Sequence, residues 1–346
     1  MSRSTTLLAA VLVFSIAAGG CTVTPGAAQA TMASASPTAS AAATAPAVST
    51  IPSPSAVAPS ALPAGVVAEI QVGKGPGYAT VADGSIWVGN HRSDSISRID
   101  PATNAVTATI PVRGEPTGMT AGFGSIWTFV PGTPGVKRVD IAAQEVVAII
   151  PLEARGGDST GFVEAAGSMW LAPEGGRLIR IDPTDNTATD VRGLDTNCSG
   201  SLAVGDGSIW HVPFCGAPVI LRIDPADGKV IAKVDVPEAS HAVWFGLDRV
   251  WAVSAWGDLA EIDPATNKVL RSESVGQAAE QVRTGLGAVW VRVDDRTLVA
   301  VEPKDLSVRA TYELPPAQVP GGGIAISEDA VWAVNFTAGT VWRIQP

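Results

Sequence analysis

The chain has little charge, few aromatic side chains and few groups suited to chemistry. Charged residues make up 16% of its 346 residues and aromatic residues 5%. The charged share lies below the roughly 25% usual for soluble domains. Cations are the scarcer sign, with 23 Lys and Arg against 33 Asp and Glu and a formal net charge of −10. Binding to a nucleic-acid backbone needs Lys and Arg to displace counterions, so nucleic acid is not an expected partner. There are only three Cys and three His, and neither Cys198 nor Cys215 is read as having a His at ligand spacing. Zinc is therefore not expected. The chain lacks a Gly-Lys-Ser/Thr phosphate loop and a His-Glu-x-x-His pair. Nucleotide hydrolysis and zinc proteolysis lose their usual motifs, and serine hydrolysis is read as lacking its Gly-x-Ser-x-Gly elbow.

What is abundant is Gly (36), Pro (26) and, against two Tyr, ten Trp. Residues 1–20 read as a secretion signal: Arg3 gives a positive start and residues 7–18 an apolar run. That run is shorter than the roughly 20 residues a membrane-spanning helix needs. Ala18-Gly19-Gly20-Cys21 resembles the lipobox of bacterial lipoproteins, departing from it at Ala18, where Leu is usual. The resemblance implies cleavage before Cys21 and lipid on its sulfur. The alternative is an ordinary secretory signal cleaved after Ala28 or Ala30. Residues 21–63 are mostly Ala, Ser, Thr, Pro and Val, and residues 22–63 hold no charge. With little large apolar area to bury, this stretch reads as a disordered tether.

Residues 64–346 repeat. Gly-Ser-Ile-Trp or a close variant ends at Trp87, Trp127, Trp170 and Trp210, and looser copies end at Trp251, Trp290 and Trp332. About twelve residues after each Trp comes a second marker, such as Arg98-Ile99-Asp100-Pro101 or Arg222-Ile223-Asp224-Pro225. A period near 40 with several short strands per copy is the signature of a β-propeller. The fold expected is all-β, a seven-bladed propeller with four-stranded blades. In the first copy the strands are placed at 78–82, 85–89, 96–100 and 106–111. Asp83-Gly84 should make the tight turn and Asp100-Pro101 the type I turn. The last copy stops after its third strand, so residues 66–72 are expected to supply the fourth and close the ring. Strand alternation puts Ile86 and Val88 on one face and Trp87 on the other, so the seven Trp read as inter-blade core.

The repeat resembles the YVTN/NHL-type bacterial propellers, and in particular the streptogramin B (virginiamycin B) lyase-like propellers. Gly75-Pro76-Gly77, Ile86-Trp87 and Arg98-Ile99-Asp100-Pro101 carry the likeness. Such motifs specify blades and leave the chemistry open.

Cys198 and Cys215 lie symmetrically about the turn Gly205-Asp206-Gly207, which places them opposite one another at the open end of a hairpin. In an exported protein they are expected to form a disulfide. Ten residues before the seven Trp stand Gly77, Thr117, Thr160, Gly200, His241, Glu280 and Gly322. His241 and Glu280 stand out, in adjacent blades. They could ligate a divalent ion such as Mg²⁺ or act in general acid–base catalysis. They could equally just bond to each other and close the channel mouth. The lyase resemblance implies two His in adjacent blades, a Glu two residues before the second, and Mg²⁺. Carried over, the first His falls on His241, the second on Glu280 and the Glu on Ala278, so one position of three matches. Asn90, His91, Trp244, Trp256 and Asn335 are further ligand-binding candidates, as is Asp294-Asp295. Ordinary loop packing is the alternative for each. His211 reads as a hydrogen-bonded structural residue. Taken together, the expectation is an exported, lipid-anchored module on the outer side of the cytoplasmic membrane or at the cell surface. Its partner would be an envelope protein, a glycan or a small molecule. The alternative is a metal-dependent lyase.

Overall fold

The computed structural model describes residues 62–131, 135–152, 161–192, 194, 198–215, 217–294, 296–315 and 322–346. The expected leader, Cys21 and the tether lie outside them. These residues form seven four-stranded antiparallel sheets. The innermost strands of successive sheets touch, and that of the first touches that of the last, so the sheets close into a ring. Among the described residues the only helical element is a 3₁₀ turn, His91–Ser93, and they hold no helix long and apolar enough to cross a membrane.

Blade one shows how sequence becomes sheet. Its strands are Pro76–Ala82, Ser85–Asn90, Ser95–Asp100 and Ala105–Pro111, within two residues of the sequence expectation at each end. Asp83 (φ 48°) and Gly84 (φ 63°) are both left-handed, the geometry of a type I′ hairpin turn. At the next turn the Asp100 carboxylate accepts from Ala102 N (2.9 Å) and Thr103 Oγ1 (2.8 Å), while Asn104 takes the left-handed position. These bonds hold the Asp100 carboxyl below the usual carboxylate range.

The seventh blade borrows its outer strand. Val66–Gln71 pairs antiparallel with Thr340–Ile344, so the ring is closed by the N-terminal strand and no open edge remains at the seam.

The core sits between blades. Trp87 packs with Ile126 and Val139 of blade two, while Ile86 and Val88 pack with Trp332 and Val334 of blade seven. All seven repeat Trp are buried. Each indole N–H in blades one to six donates to the backbone carbonyl five residues before it, and in blade seven to Ser327 Oγ.

The two sequence markers meet in space. The Arg of Arg-Ile-Asp-Pro stacks over the Trp of its own blade, as Arg222 does over Trp210 at 4.9 Å. Its Nε donates to the Ser of Gly-Ser-Ile-Trp, as Arg222 does to Ser208 at 2.8 Å. Where the next turn carries Pro and Asn, the guanidinium also reaches across. Arg138 donates to Pro183 O and Asn186, Arg222 to Pro264 O and Asn267, and Arg343 to Pro101 O and Asn104. Blade five replaces this Arg with the buried Glu261, which pairs with Arg249 and Arg271. Arg271 makes the crossing instead, to Pro303 O at 2.7 Å.

Candidate functional site

The innermost strands line a central channel. Its wider part is a cavity of about 380 Å³ with Thr80, Thr120, Glu164, Trp244, Arg283 and Ala325 in its wall. Toward the end where the inner strands begin lies a smaller cavity of about 110 Å³. Tyr78, Ser201, Phe214, His241, Gln281 and Arg283 are among its lining residues. Glycine lets the inner strands converge here. A Cβ on Gly161 would lie 2.5 Å from the Gly200 carbonyl oxygen, to which the Gly161 amide donates.

His241 reaches this mouth because its strand is irregular. In blade five Ser240 pairs with Ser254 and Ala242 with Val253, leaving His241 as the extra residue of a bulge. Its ring stacks on Phe214, with centroids 5.3 Å apart and planes 19° apart. Part of the ring stays exposed, yet loss of solvent on the protein side lowers its pKa below the ordinary His value. Phe214 is held by the Cys198–Cys215 disulfide beside it, whose Cα atoms are 5.8 Å apart, as the hairpin symmetry predicted.

Glu280 does not join His241 in lining this mouth. In blade six Gln281 pairs with Arg292 and Val282 with Val291, without a bulge at that point. A one-residue difference sends successive side chains to opposite faces. Gln281 therefore lines the mouth, while Glu280 donates its amide to Arg292 O and is not among the described lining residues. Counting ten residues back from each Trp aligns the two positions in sequence and not in space.

The other candidates separate. Trp244 lines the channel, and its indole N–H donates to Thr284 Oγ1 at 3.1 Å. Trp256 is 71% exposed on a loop but lines neither cavity. His91 lies 3.5 Å from the Glu115 carboxylate and 6.1 Å from the Phe336 ring, over which Arg92 also stacks. Asn90 and Asn335 are corrections. Both are buried at strand ends. Asn90 donates to Ser95 and Ser97, and Asn335 accepts from the amides of Thr337 and Ala338. They hold their own blades and are not presented to a ligand. His211 is fully buried in the strand Ser208–Pro213. Burial pushes its pKa down to about 4, opposed more weakly by its hydrogen bond with the Ser201 backbone. Asp295 and Thr160 lie outside the described residues.

A Gly-x-Ser-x-Gly string does occur, Gly157-Asp158-Ser159-Thr160-Gly161, against the expectation that this pattern is absent. It leads into the strand Phe162–Ala165 and not into a helix, so it lacks the strand–turn–helix setting of a nucleophile elbow. Among the described residues no group of three or more His, Cys, Asp or Glu is placed to hold a metal ion. A Mg²⁺ site calls for near-octahedral oxygen coordination. His241 beside Phe214 and Gln281, with Ala278 lacking any donor, does not fit one.

Sequence reasoning passed over Arg283. Its guanidinium lies 4.3 Å from the centre of the Trp244 ring and lines both cavities. It donates to its neighbour's carbonyl, Val282 O, at 2.8 Å, and forms no ion pair with a described residue. Burial lowers its pKa to about 10, which still leaves it charged at neutral pH.

No family model matches the chain, and no curated protein matches it. Solved structures do. A streptogramin B lyase structure superposes with a TM-score of 0.70 at 15% identity, covering 80% of this chain and 96% of that one. Hydrazine synthase of Kuenenia stuttgartiensis gives 0.65 at 14% identity, covering 79% and 96%. The computationally designed protein Ika8 gives 0.58 at 13% identity, covering 78% and 82%. At these identities the likeness is one of fold: the chain has a propeller like that of the streptogramin B lyase structure.

Proposed function

We propose that this chain is an exported, lipid-anchored recognition protein whose propeller binds a ligand at the His241 mouth of its channel. The reading rests chiefly on that mouth. An exposed imidazole stacked on Phe214 opens onto a channel whose wall holds a cation on Trp244. A few polar groups converging in a concave, partly apolar site are the usual makings of a binding pocket. The Ala-Gly-Gly-Cys21 junction and the uncharged stretch after it support the anchor. Lipidation at Cys21 would hold the propeller at the membrane through its acyl chains. Its partner would be an envelope protein, a glycan or a small molecule.

Two variants of the full chain test this. Cys21→Ser should move the protein from the membrane fraction to the soluble fraction, and retention on the membrane would overturn the anchor. His241→Ala and Phe214→Ala should each weaken binding in a screen of small molecules, glycans and peptides. Undiminished binding would remove the mouth as the site.

A second reading, a metal-dependent lyase, is favoured by the fold likeness to streptogramin B lyase. The donor set argues against it, since one of the three implied positions carries the required residue. Cleavage of streptogramin B by the full chain in the presence of Mg²⁺ would reverse this ranking.

A further inference from the structure

The middle of the channel carries a charge that the described protein does not neutralise. Seven inner-strand residues pair directly with the seven repeat Trp: Thr80, Thr120, Val163, Ala203, Trp244, Arg283 and Ala325. Only Arg283 is charged. It is held in place, because its guanidinium stacks on Trp244 and that indole is fixed by Thr284. Of its five N–H donors, the hydrogen bond to Val282 O is the only one made among the described residues. A cation partly removed from water without an ion-pair partner is costly. Pre-set, unspent donors facing a cavity are what a planar anion needs, since guanidinium and carboxylate match as a two-pronged pair.

The two sides of Arg283 differ in charge. Glu164 lines the wider cavity but forms no ion pair with Arg283 within 4.0 Å. The smaller cavity, toward His241, has no Asp or Glu among its described lining residues. It offers apolar wall from Met119, Phe162 and Leu202, and neutral polar groups from Ser201 and Gln281. An anion therefore meets less repulsion from the His241 side. Its volume, about 110 Å³, suits one small acid or the end residue of a peptide.

We propose that Arg283 is the ligand-binding residue of this channel and that the ligand is a carboxylate. It enters at the His241 mouth, pairs its two oxygens with the guanidinium and lays its apolar part on Met119, Phe162 and Leu202. This rests on the mouth being a binding site, and it names the ligand's chemistry. The carboxylate could belong to a free organic acid or to the C-terminus of a peptide.

Calorimetric titration of the full chain separates these. The probes are benzoate, its neutral counterpart benzamide, and N-acetyl-Ala-Phe with a free or an amidated C-terminus. Benzoate should bind saturably, and benzamide at least about tenfold more weakly. Arg283→Met should weaken benzoate by at least about tenfold without lowering Tm, because the variant removes a half-buried charge that has no ion-pair partner among the described residues. Arg283→Lys keeps the charge without the fork and should fall between, which preserves the test if the Met variant misfolds. Tighter binding of the free-acid peptide than of benzoate assigns a C-terminus, and the reverse order assigns a small acid. Equal binding of benzoate and benzamide, unchanged in Arg283→Met, would overturn the carboxylate assignment while leaving the mouth a binding site. Absence of binding by every probe would overturn the carboxylate assignment, with the mouth then judged on the His241→Ala and Phe214→Ala screen.

Discussion

Removing Arg222 should cost more than removing Arg180, although the two occupy the same place in adjacent blades. Each donates Nε to its blade's Ser, at 2.8 Å, and stacks over its blade's Trp. Only Arg222 also crosses to the next blade, to Pro264 O at 2.5 Å and Asn267 Oδ1 at 3.0 Å. Arg180 faces a turn in which Gly228 replaces Asn, and it makes no such crossing among the described residues. Hydrogen bonds from a charged donor contribute about 1.5–3 kcal/mol each when partly buried, and bonds from one guanidinium do not add fully. The extra bond from Arg222 to the exposed Asp206 carboxylate (2.7 Å) should contribute little. Arg222→Ala should therefore lose about 2 kcal/mol more than Arg180→Ala. Urea unfolding of both variants, read by far-UV circular dichroism, measures this. Asn267→Gly, which keeps the left-handed backbone (φ 56°), should couple to Arg222→Ala by about 1 kcal/mol in a double-mutant cycle. Equal losses from the two Arg variants and no coupling would refute the idea that these Arg clamp neighbouring blades.

Two further outcomes follow from the same structure. Replacing Cys198 and Cys215 together by Ser should cost about 3 kcal/mol, from the entropy of opening a 17-residue separation. It should also broaden NMR signals of Phe214 and His241, and a variant as stable as the parent would contradict this. His211 has a folded pKa pushed down to about 4, below an unfolded value near 6.5. Its contribution is full above about pH 6.5 and is lost as pH falls toward 4, because the unfolded chain takes up the proton first. The loss is about 3 kcal/mol. His211→Phe should flatten the pH dependence of the urea midpoint over that window, and an unchanged slope would exclude His211 as its source.

The fold was legible because its two markers, Trp and Arg-Ile-Asp-Pro, are parts of one contact, which recurs in five of the seven described blades. The crossing Arg-to-Asn bonds follow the same rule, occurring where Asn104, Asn186 and Asn267 sit in the receiving turns. The disulfide was legible because hairpin symmetry fixes which residues oppose. The site was less so. A bulge exists in blade five and not in blade six, and nothing local to Glu280 announces that difference, so a linear alignment put Glu280 beside His241. Asn90 and Asn335 looked like loop residues because polarity alone does not tell an exposed amide from one that ends a buried strand. Arg283 could have been found. Seven residues before the Trp, instead of ten, is the true cross-strand partner, and there a single Arg stands among uncharged residues.

The most direct measurement is a crystal structure of the full chain soaked with benzoate. The benzoate carboxylate should pair with the Arg283 guanidinium, with its ring toward the His241 mouth. Benzoate bound elsewhere, with the channel at Arg283 holding only water, would contradict it.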